Sequence, residues 1–287
     1  MRKLKQALDW TSWFFYLVIK RKKSPSYSLN MVQKTWEDFK LTLKASKIDY
    51  DQAYIAISNL VSFLESSKGY KLIRYGPKLG DGAYFIPTNL EFDRNISIGV
   101  GKSYEFELCL DQKTKIYLFD HTIKIPNNLP PNFQFFKIGL GQNKSANLRD
   151  LNEIFEICNA ENSSKNLLKI DIEGNEYNVF ENFKYTKKID LLILELHNLN
   201  RMIDPEFRNN FINFSRYLYE NFVCVFSSGN NNTGVTAFKD FVVANTIEIT
   251  LVPKRILPKL IRSNEIYAVQ NKSLAPQLLP YYVSHEK

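Results

Sequence analysis

Several residue types are scarce in this sequence, and each shortage narrows what the chain can be. Cysteine occurs three times in 287 residues, as Cys109, Cys158 and Cys224. The three stand singly in apolar surroundings, without a Cys-x-x-Cys pair. That argues against both a disulfide framework and a zinc knuckle, and it suits a reducing, cytoplasmic compartment. No apolar run approaches the ~18–20 residues that a membrane-crossing helix needs. Net positive charge is small outside one end. Of the formal net charge of +8, residues 1–25 carry +6, from seven Lys and Arg against Asp9, which leaves +2 for the rest. Nucleic-acid binding needs a basic stripe on the folded face, and none is legible, so nucleic acid is not an expected partner. What is plentiful is apolar surface: 44% hydrophobic and 14% aromatic residues can bury a sizeable core and exclude wholesale disorder.

The basic N-terminal end also holds Trp13-Phe14-Phe15-Tyr16-Leu17-Val18-Ile19. Basic flanks around an aromatic run suit a helix lying in a membrane interface, at about 1 kcal/mol per Lys or Arg near anionic lipid. An amphipathic helix docked on the protein's own core fits the same residues. Segment 1–25 therefore stands apart as a candidate peripheral membrane contact, with no small-residue cleavage site after it.

Residues 26–69 read as a helical extension. Trp36, Phe39 and Leu43, then Ile55, Ile57, Leu60, Val61 and Leu64, recur near helical spacing until Gly69 ends the pattern. From residue 70 the texture changes to short apolar runs. Strands are predicted at 95–99, 115–120, 133–138, 167–171, 190–196, 222–227 and 247–252, and helices at 103–111, 147–158, 173–183 and 205–221. Strands alternating with helices predict an α/β fold, a Rossmann-like doubly wound sheet of mostly parallel strands spanning 70–252. The last segment, 253–287, carries Pro253, Pro258, Pro276 and Pro280 and reads as an irregular wrap or tail.

In such a sheet, ligands bind beyond the carboxyl ends of the strands where the strand order reverses. Ser97-Ile98-Gly99-Val100-Gly101 closes the first predicted sheet strand, and its glycines allow a sharp turn and close approach to a ligand. Asp120 ends the next strand, nineteen residues after Gly101, where a carboxylate can accept from both ribose hydroxyls. Together these predict a nucleoside-containing ligand. A dinucleotide enzyme would show a third glycine where Tyr104 stands and a helix start open to pyrophosphate. Here Glu105 and Glu107 occupy that turn, and their charge favours a cationic sulfonium nucleoside such as S-adenosylmethionine.

The sharpest local signature is Leu167-Leu168-Lys169-Ile170-Asp171-Ile172-Glu173-Gly174-Asn175-Glu176. It delivers Asp171 to the end of a buried strand and places Glu176 in the first turn of a predicted helix. The next strand ends in Leu194-Glu195-Leu196-His197-Asn198, where the period of two puts Glu195 and His197 on one face. Adjacent parallel strands bring Asp171, Glu195 and His197 to one rim beside the ligand cleft. His121, next to Asp120, is a weaker candidate.

Together, the Gly99/Gly101 turn, Asp120, the LLKIDIEGNE stretch and the LLILELHNL strand resemble class I S-adenosylmethionine-dependent methyltransferases of the FkbM type, in the methyltransferase-like branch. Arg74-Tyr75-Gly76 and Asp81-Gly82-Ala83-Tyr84 match a further segment of that branch, with Ala83 replacing a glycine. Glu248-Ile249-Thr250 matches a late strand, and Ser228 stands where the branch tends to show histidine. The resemblance covers roughly residues 70–252. It implies a sheet of seven strands with the last antiparallel, bound S-adenosylmethionine and methylation of a hydroxyl oxygen, on a sugar, a glycan or a related metabolite.

On this reading Ser97, Gly99, Gly101, Asp120 and Asp171 hold the cofactor, and His197 takes the acceptor's proton with Asp171 or Glu195 orienting it. A second arrangement uses Asp171, Glu195 and Asn198 as oxygen ligands for a divalent metal; the metal-free version is preferred. Two rivals differ in class: a non-catalytic module at a membrane surface, and an NAD-linked sugar enzyme.

Overall fold

Near-continuous apolar runs such as residues 191–194 turn the middle of the chain into a sheet buried on both faces. The structure, a computed structural model, describes residues 29–65, 69–77, 82–142, 147–230, 233–238, 241–263, 266–268 and 282–284. The basic aromatic segment 1–25 lies outside the described residues.

The predicted helical extension forms two helices, α1 (Leu29–Lys44) and α2 (Lys47–Leu64). Ser46 starts the second as its N-cap, its side chain accepting from the Asp49 N–H. An antiparallel pair follows, β1 (Leu72–Tyr75) and β2 (Tyr84–Pro87). The central sheet then opens with β3 (Arg94–Ile98), the one-turn helix α3 (Glu105–Leu108), β4 (Lys115–Phe119) and β5 (Phe133–Phe136). A two-residue pair, β6 (Gly139–Leu140) and β7 (Leu148–Arg149), precedes helix α4 (Leu151–Ile157), which Asp150 and Glu153 start with a capping box. The chain continues through β8 (Asn166–Ile170), β9 (Ile189–Leu196), α5 (Pro205–Asn221), β10 (Phe222–Gly229), the hairpin of β11 (Val235–Phe238) and β12 (Phe241–Ala244), and β13 (Ile247–Pro253).

Seven strands lie side by side in the order β10-β13-β9-β8-β3-β4-β5. Neighbours from β9 to β5 run parallel, while β13 is antiparallel to both β9 and β10. This is the expected architecture, with the final sheet strand antiparallel. The chain runs outward from β3 to β5 and returns to β8 on the other side of β3. Strand order therefore reverses between β3 and β8, and a crevice opens beyond their carboxyl ends.

The period of two sorts the sheet's side chains into two cores. Leu168, Ile170, Leu192, Leu194 and Leu196 join one cluster with Ile57, Leu60 and Leu64 of α2, Phe155 of α4 and Phe211 of α5. Leu167, Leu191 and Ile193 join the other, with Leu72, Phe85 and Ile86 of the β1–β2 hairpin and Phe106 of α3. Phe85 stacks on Phe226 at 4.2 Å, and the Thr250 hydroxyl donates to the Phe85 carbonyl at 2.6 Å. That hairpin was not predicted from sequence, since two four-residue strands carry too little periodicity to be seen.

Two further elements differ from expectation. Residues 173–183 show helical apolar spacing but form only a 3-10 turn at Glu176–Asn178 followed by tight turns. Positive φ values at Glu173, Gly174 and Asn182, of 57°, 107° and 60°, are incompatible with a helix there. The segment from 253 onward, expected to be irregular, adds β14 (Ile266–Ala268) beside β1 and β15 (Tyr282–Ser284) beside β12. Backbone pairing to an existing edge holds these pieces, a signal that composition does not carry.

Candidate functional site

The crevice is built from three strand ends. Gly99 follows β3 with φ +77°, and a Cβ placed there would stand 1.6 Å from the Asp171 carbonyl oxygen. Only glycine lets the ends of β3 and β8 come this close. Gly101, at φ +63°, would project a Cβ into open space, so its backbone faces the crevice bare. Its N–H donates to Asp120 Oδ2 at 2.9 Å. The other oxygen, Oδ1, accepts from the Thr122 hydroxyl at 2.6 Å and from the Thr122 N–H at 2.7 Å. Burial pushes the Asp120 carboxyl up, but these bonds from Thr122 and Gly101 outweigh it and hold it below its ordinary range. A rigid, ionised acceptor thus ends β4.

Around this turn lies a cleft of about 550 Å³, lined among others by Gly99, Gly101, Phe106, Asp120, Lys169 and Asp171. That size falls in the range of ~300–1,000 Å³ common for small-ligand pockets. Two buried charges face it. Glu107 of α3 is 2% exposed, and its Oε1 has no hydrogen-bond partner. Lys169 of β8 is also buried, with its ammonium 5.0 Å above the Tyr84 ring and 3.9 Å from Asp171 Oδ2.

The second half of the site is an acid–histidine cluster. The sheet's side-chain alternation puts Lys169 of β8 and Asp171 just after it, with Glu195 of β9 and His197 just after it, on the hairpin side. His197 is nearly buried, and its Nδ1 lies 2.9 Å from Oε1 of the fully buried Glu176. The same oxygen accepts the N–H groups of Gly174 at 3.0 Å and Ile172 at 3.3 Å. Glu176 therefore shapes the turn after β8 and orients the imidazole together. Around Nε2 stand Glu173 Oε2 at 3.4 Å, Glu195 Oε1 at 3.7 Å and Asp171 Oδ1 at 4.0 Å. Burial pulls the imidazole pKa down, but the Glu176 bond and the charges of Glu176, Asp171 and Glu173 raise it above the ordinary value of 6.5. The Tyr177 hydroxyl fixes the histidine backbone by donating to its carbonyl.

The row continues across the sheet. Glu195 pairs with Glu248 of β13, and Glu248 with Ser228 of β10. Ser228, at the place where the resemblance led us to expect histidine, is buried and reaches Glu248 Oε2 at 3.5 Å. The Asn230 amide donates to Glu195 Oε1 at 3.1 Å.

Of the residues singled out from sequence, Gly99, Gly101, Asp120 and Asp171 line the cleft, and Glu195 and His197 stand next to it at the rim. Ser97 does not reach the cleft: it is fully buried inside β3, where its hydroxyl and the Asn95 amide bond one another. The orienting partner of His197 is Glu176, not Asp171 or Glu195, which stand beyond hydrogen-bond reach. Helical spacing concealed that role, although a glutamate two residues past a glycine turn is well placed to accept the turn's amides. Tyr84 and Glu173 were also missed; the Tyr84 hydroxyl donates to Asp171 Oδ2 at 3.3 Å. For a divalent cation, the described residues bring together Asp171, Glu173 and His197, with ligand atoms within 4.8 Å of one another. This set differs from the Asp171, Glu195 and Asn198 expected from sequence. Asn198 instead packs its amide over Gly174, where a Cβ would lie 2.2 Å from Nδ2.

Comparison with known proteins agrees with this geometry. The family model described as the methyltransferase FkbM domain matches residues 58–220, more than half of the chain. The match begins inside α2 and ends with α5, so it takes in the glycine turn, Asp120 and the whole Asp171–His197 cluster. No curated protein matches the chain at a significant level. A seven-stranded sheet with β13 antiparallel, a ligand-sized cleft at its switch point and the family match lead to one assignment: the chain belongs to the FkbM methyltransferase family.

Proposed function

We propose that this protein uses S-adenosylmethionine to methylate a hydroxyl oxygen, and that His197 is the proton acceptor. The observation that carries the reading is the Glu176–His197 pair, set at the rim of a nucleoside-sized cleft with Nε2 turned toward Asp171, Glu173 and Glu195.

The residues present suit that cofactor. Gly99 and Gly101 leave the backbone bare along the turn, Asp120 offers an ionised acceptor for ribose hydroxyls, and Glu107, whose Oε1 has no hydrogen-bond partner, suits a cationic ligand. When bound, S-adenosylmethionine supplies an electrophilic methyl group on a positively charged sulfur. The chain must then hold an acceptor hydroxyl in line and receive its proton. Positioning of this kind contributes up to ~7–11 kcal/mol in favourable cases. Proton removal typically adds ~10²–10⁴-fold. In this reading His197 receives the proton at Nε2 while Nδ1 donates its own proton to Glu176, the tautomer that the 2.9 Å contact supports. The carboxylates of Asp171, Glu173 and Glu195 stabilise the imidazolium that forms.

For the acceptor we favour a sugar hydroxyl on a glycan or glycolipid, with residues 1–25 holding the protein at a membrane surface. Both are readings of the sequence, carried by the resemblance and by the basic aromatic segment. Among the described residues no helix is long and apolar enough to cross a membrane. Deleting residues 1–25 is expected to abolish co-sedimentation with anionic liposomes; unchanged sedimentation rejects the surface role.

The chemical test uses methyl-labelled S-adenosylmethionine and a panel of sugar, glycolipid and small alcohol acceptors. Label in an alkali-stable ether supports O-methylation of a hydroxyl. Label in an alkali-labile ester or on nitrogen contradicts it. Cofactor binding without transfer to any acceptor would favour the non-catalytic module.

A further inference from the structure

Two buried residues line the cleft without facing His197: Glu107, and Lys169, which meets the proton-transfer cluster only through Asp171. Glu107 stands on α3, just past the glycine turn, with Oε1 sealed from solvent and accepting no hydrogen bond. Lys169 stands on β8, with no hydrogen bond to its ammonium among the described residues and Asp171 as its ion-pair partner at 3.9 Å. Tyr84 lines the same cleft. Its ring carries the Lys169 ammonium at 5.0 Å on its face and meets Phe106, the neighbour of Glu107, edge-on at 5.1 Å. Burying an under-bonded polar group is costly, and a fold tolerates a carboxylate oxygen without a hydrogen bond and a loosely paired ammonium in one cleft most readily when a ligand completes them. They do not neutralise one another: no ion pair joins the two among the described residues.

A cleft with one carboxylate oxygen free of hydrogen bonds and one under-bonded ammonium, flanking a bare glycine turn, is complementary to a zwitterion. We propose that Glu107 and Lys169 form a clamp for an α-amino acid group, Glu107 accepting from its ammonium and Lys169 donating to its carboxylate. Within the reading above, on which this rests, the clamp takes the methionine end of S-adenosylmethionine while Asp120 takes the ribose. It also gives a physical basis for preferring this cofactor over a dinucleotide, whose pyrophosphate Glu107 would repel.

The test compares two ligands that share the thioadenosine part and differ in the amino acid group: S-adenosylhomocysteine, which has it, and methylthioadenosine, which lacks it. Calorimetric titration of the full-length wild type is expected to show S-adenosylhomocysteine bound at least about tenfold more tightly. Glu107→Gln and Lys169→Met should each weaken S-adenosylhomocysteine roughly ten- to hundredfold, the usual effect of losing a charge-assisted bond. Methylthioadenosine affinity should stay within about twofold, because neither charge touches it. Glu107→Gln is isosteric and removes a buried, under-bonded carboxylate, so its melting temperature should hold or rise. Lys169→Gln serves if the methionine variant does not fold. Variants that weaken both ligands equally, or neither, overturn the clamp while leaving the cofactor reading intact. If folded wild type binds neither ligand, the cofactor reading fails and the clamp fails with it.

Discussion

In the proposed mechanism, His197 owes its strength as a base chiefly to one buried neighbour, Glu176, and this makes the chemistry testable at a single residue. The folded pKa is raised above the unfolded value of about 6.5. The pairing therefore stabilises the fold fully below that pH and loses its contribution as pH rises through the folded value. Catalysis runs the other way, since only the neutral imidazole accepts a proton. Methyl transfer should rise with pH and level off above the raised pKa. The chain has three histidines, His121, His197 and His285, so proton NMR titration can follow each ring. We expect the His197 midpoint above 6.5 in wild type and lower in Glu176→Gln; an unmoved midpoint would show that Glu176 does not tune the ring. His197→Asn should lower the rate ~10²–10⁴-fold with cofactor affinity preserved. The sequence made the acid–histidine rim legible because strand periodicity alone puts Glu195 and His197 on one face. It did not reveal Glu176, whose role depends on positive φ at Glu173 and Gly174 rather than on spacing.

At the scale of the element, the decisive piece is the turn joining β3 to α3. Its two glycines predict losses of different size. Gly99→Ala places a methyl against the Asp171 carbonyl, backbone that cannot yield, so it should lower stability by several kcal/mol or prevent folding. Gly101→Ala meets no atom within 4 Å, so it should cost only about 1–2 kcal/mol for the left-handed conformation. It should still weaken cofactor binding, because the added methyl stands where the bare backbone faces the cleft. Thermal unfolding and ligand titration on the two variants separate these effects; equal stability losses would contradict the packing account. The long buried strands were legible from β-branched and leucine-rich runs. The β1–β2 hairpin was not, although its Tyr84 reaches Asp171 and Lys169, because its burial comes from packing on the sheet rather than from any local pattern.

For the whole molecule, the helical extension is part of the domain and not an appendage. Ile57, Leu60 and Leu64 of α2 belong to the core beneath the sheet. Polar ties reinforce the contact. Asp38 accepts from the amides of Asn200, at 2.8 Å, and Asn245. The buried Arg208 of α5 donates to Asp49 Oδ1 at 3.1 Å, Gln52 at 3.0 Å and the Met202 carbonyl at 3.0 Å. Arg208→Ala should therefore lower the urea midpoint by the equivalent of about 1.5–3 kcal/mol with an unchanged slope. An unshifted midpoint would mean that the extension docks through apolar contacts alone. Helical periodicity revealed a helical extension but not its division into two helices, nor that they pack against α5 and β11, since those partners lie some 150–200 residues away in sequence.

The central claim is that the cleft between β3 and β8 binds S-adenosylmethionine. The most direct measurement is calorimetric titration of the folded protein with S-adenosylhomocysteine, for wild type and Asp120→Ala, with NAD as the control ligand. We predict micromolar binding by wild type, a loss of about tenfold or more in the variant, and no binding of NAD. Folded wild type that binds no S-adenosylhomocysteine at millimolar concentration, or that binds NAD instead, would contradict the account.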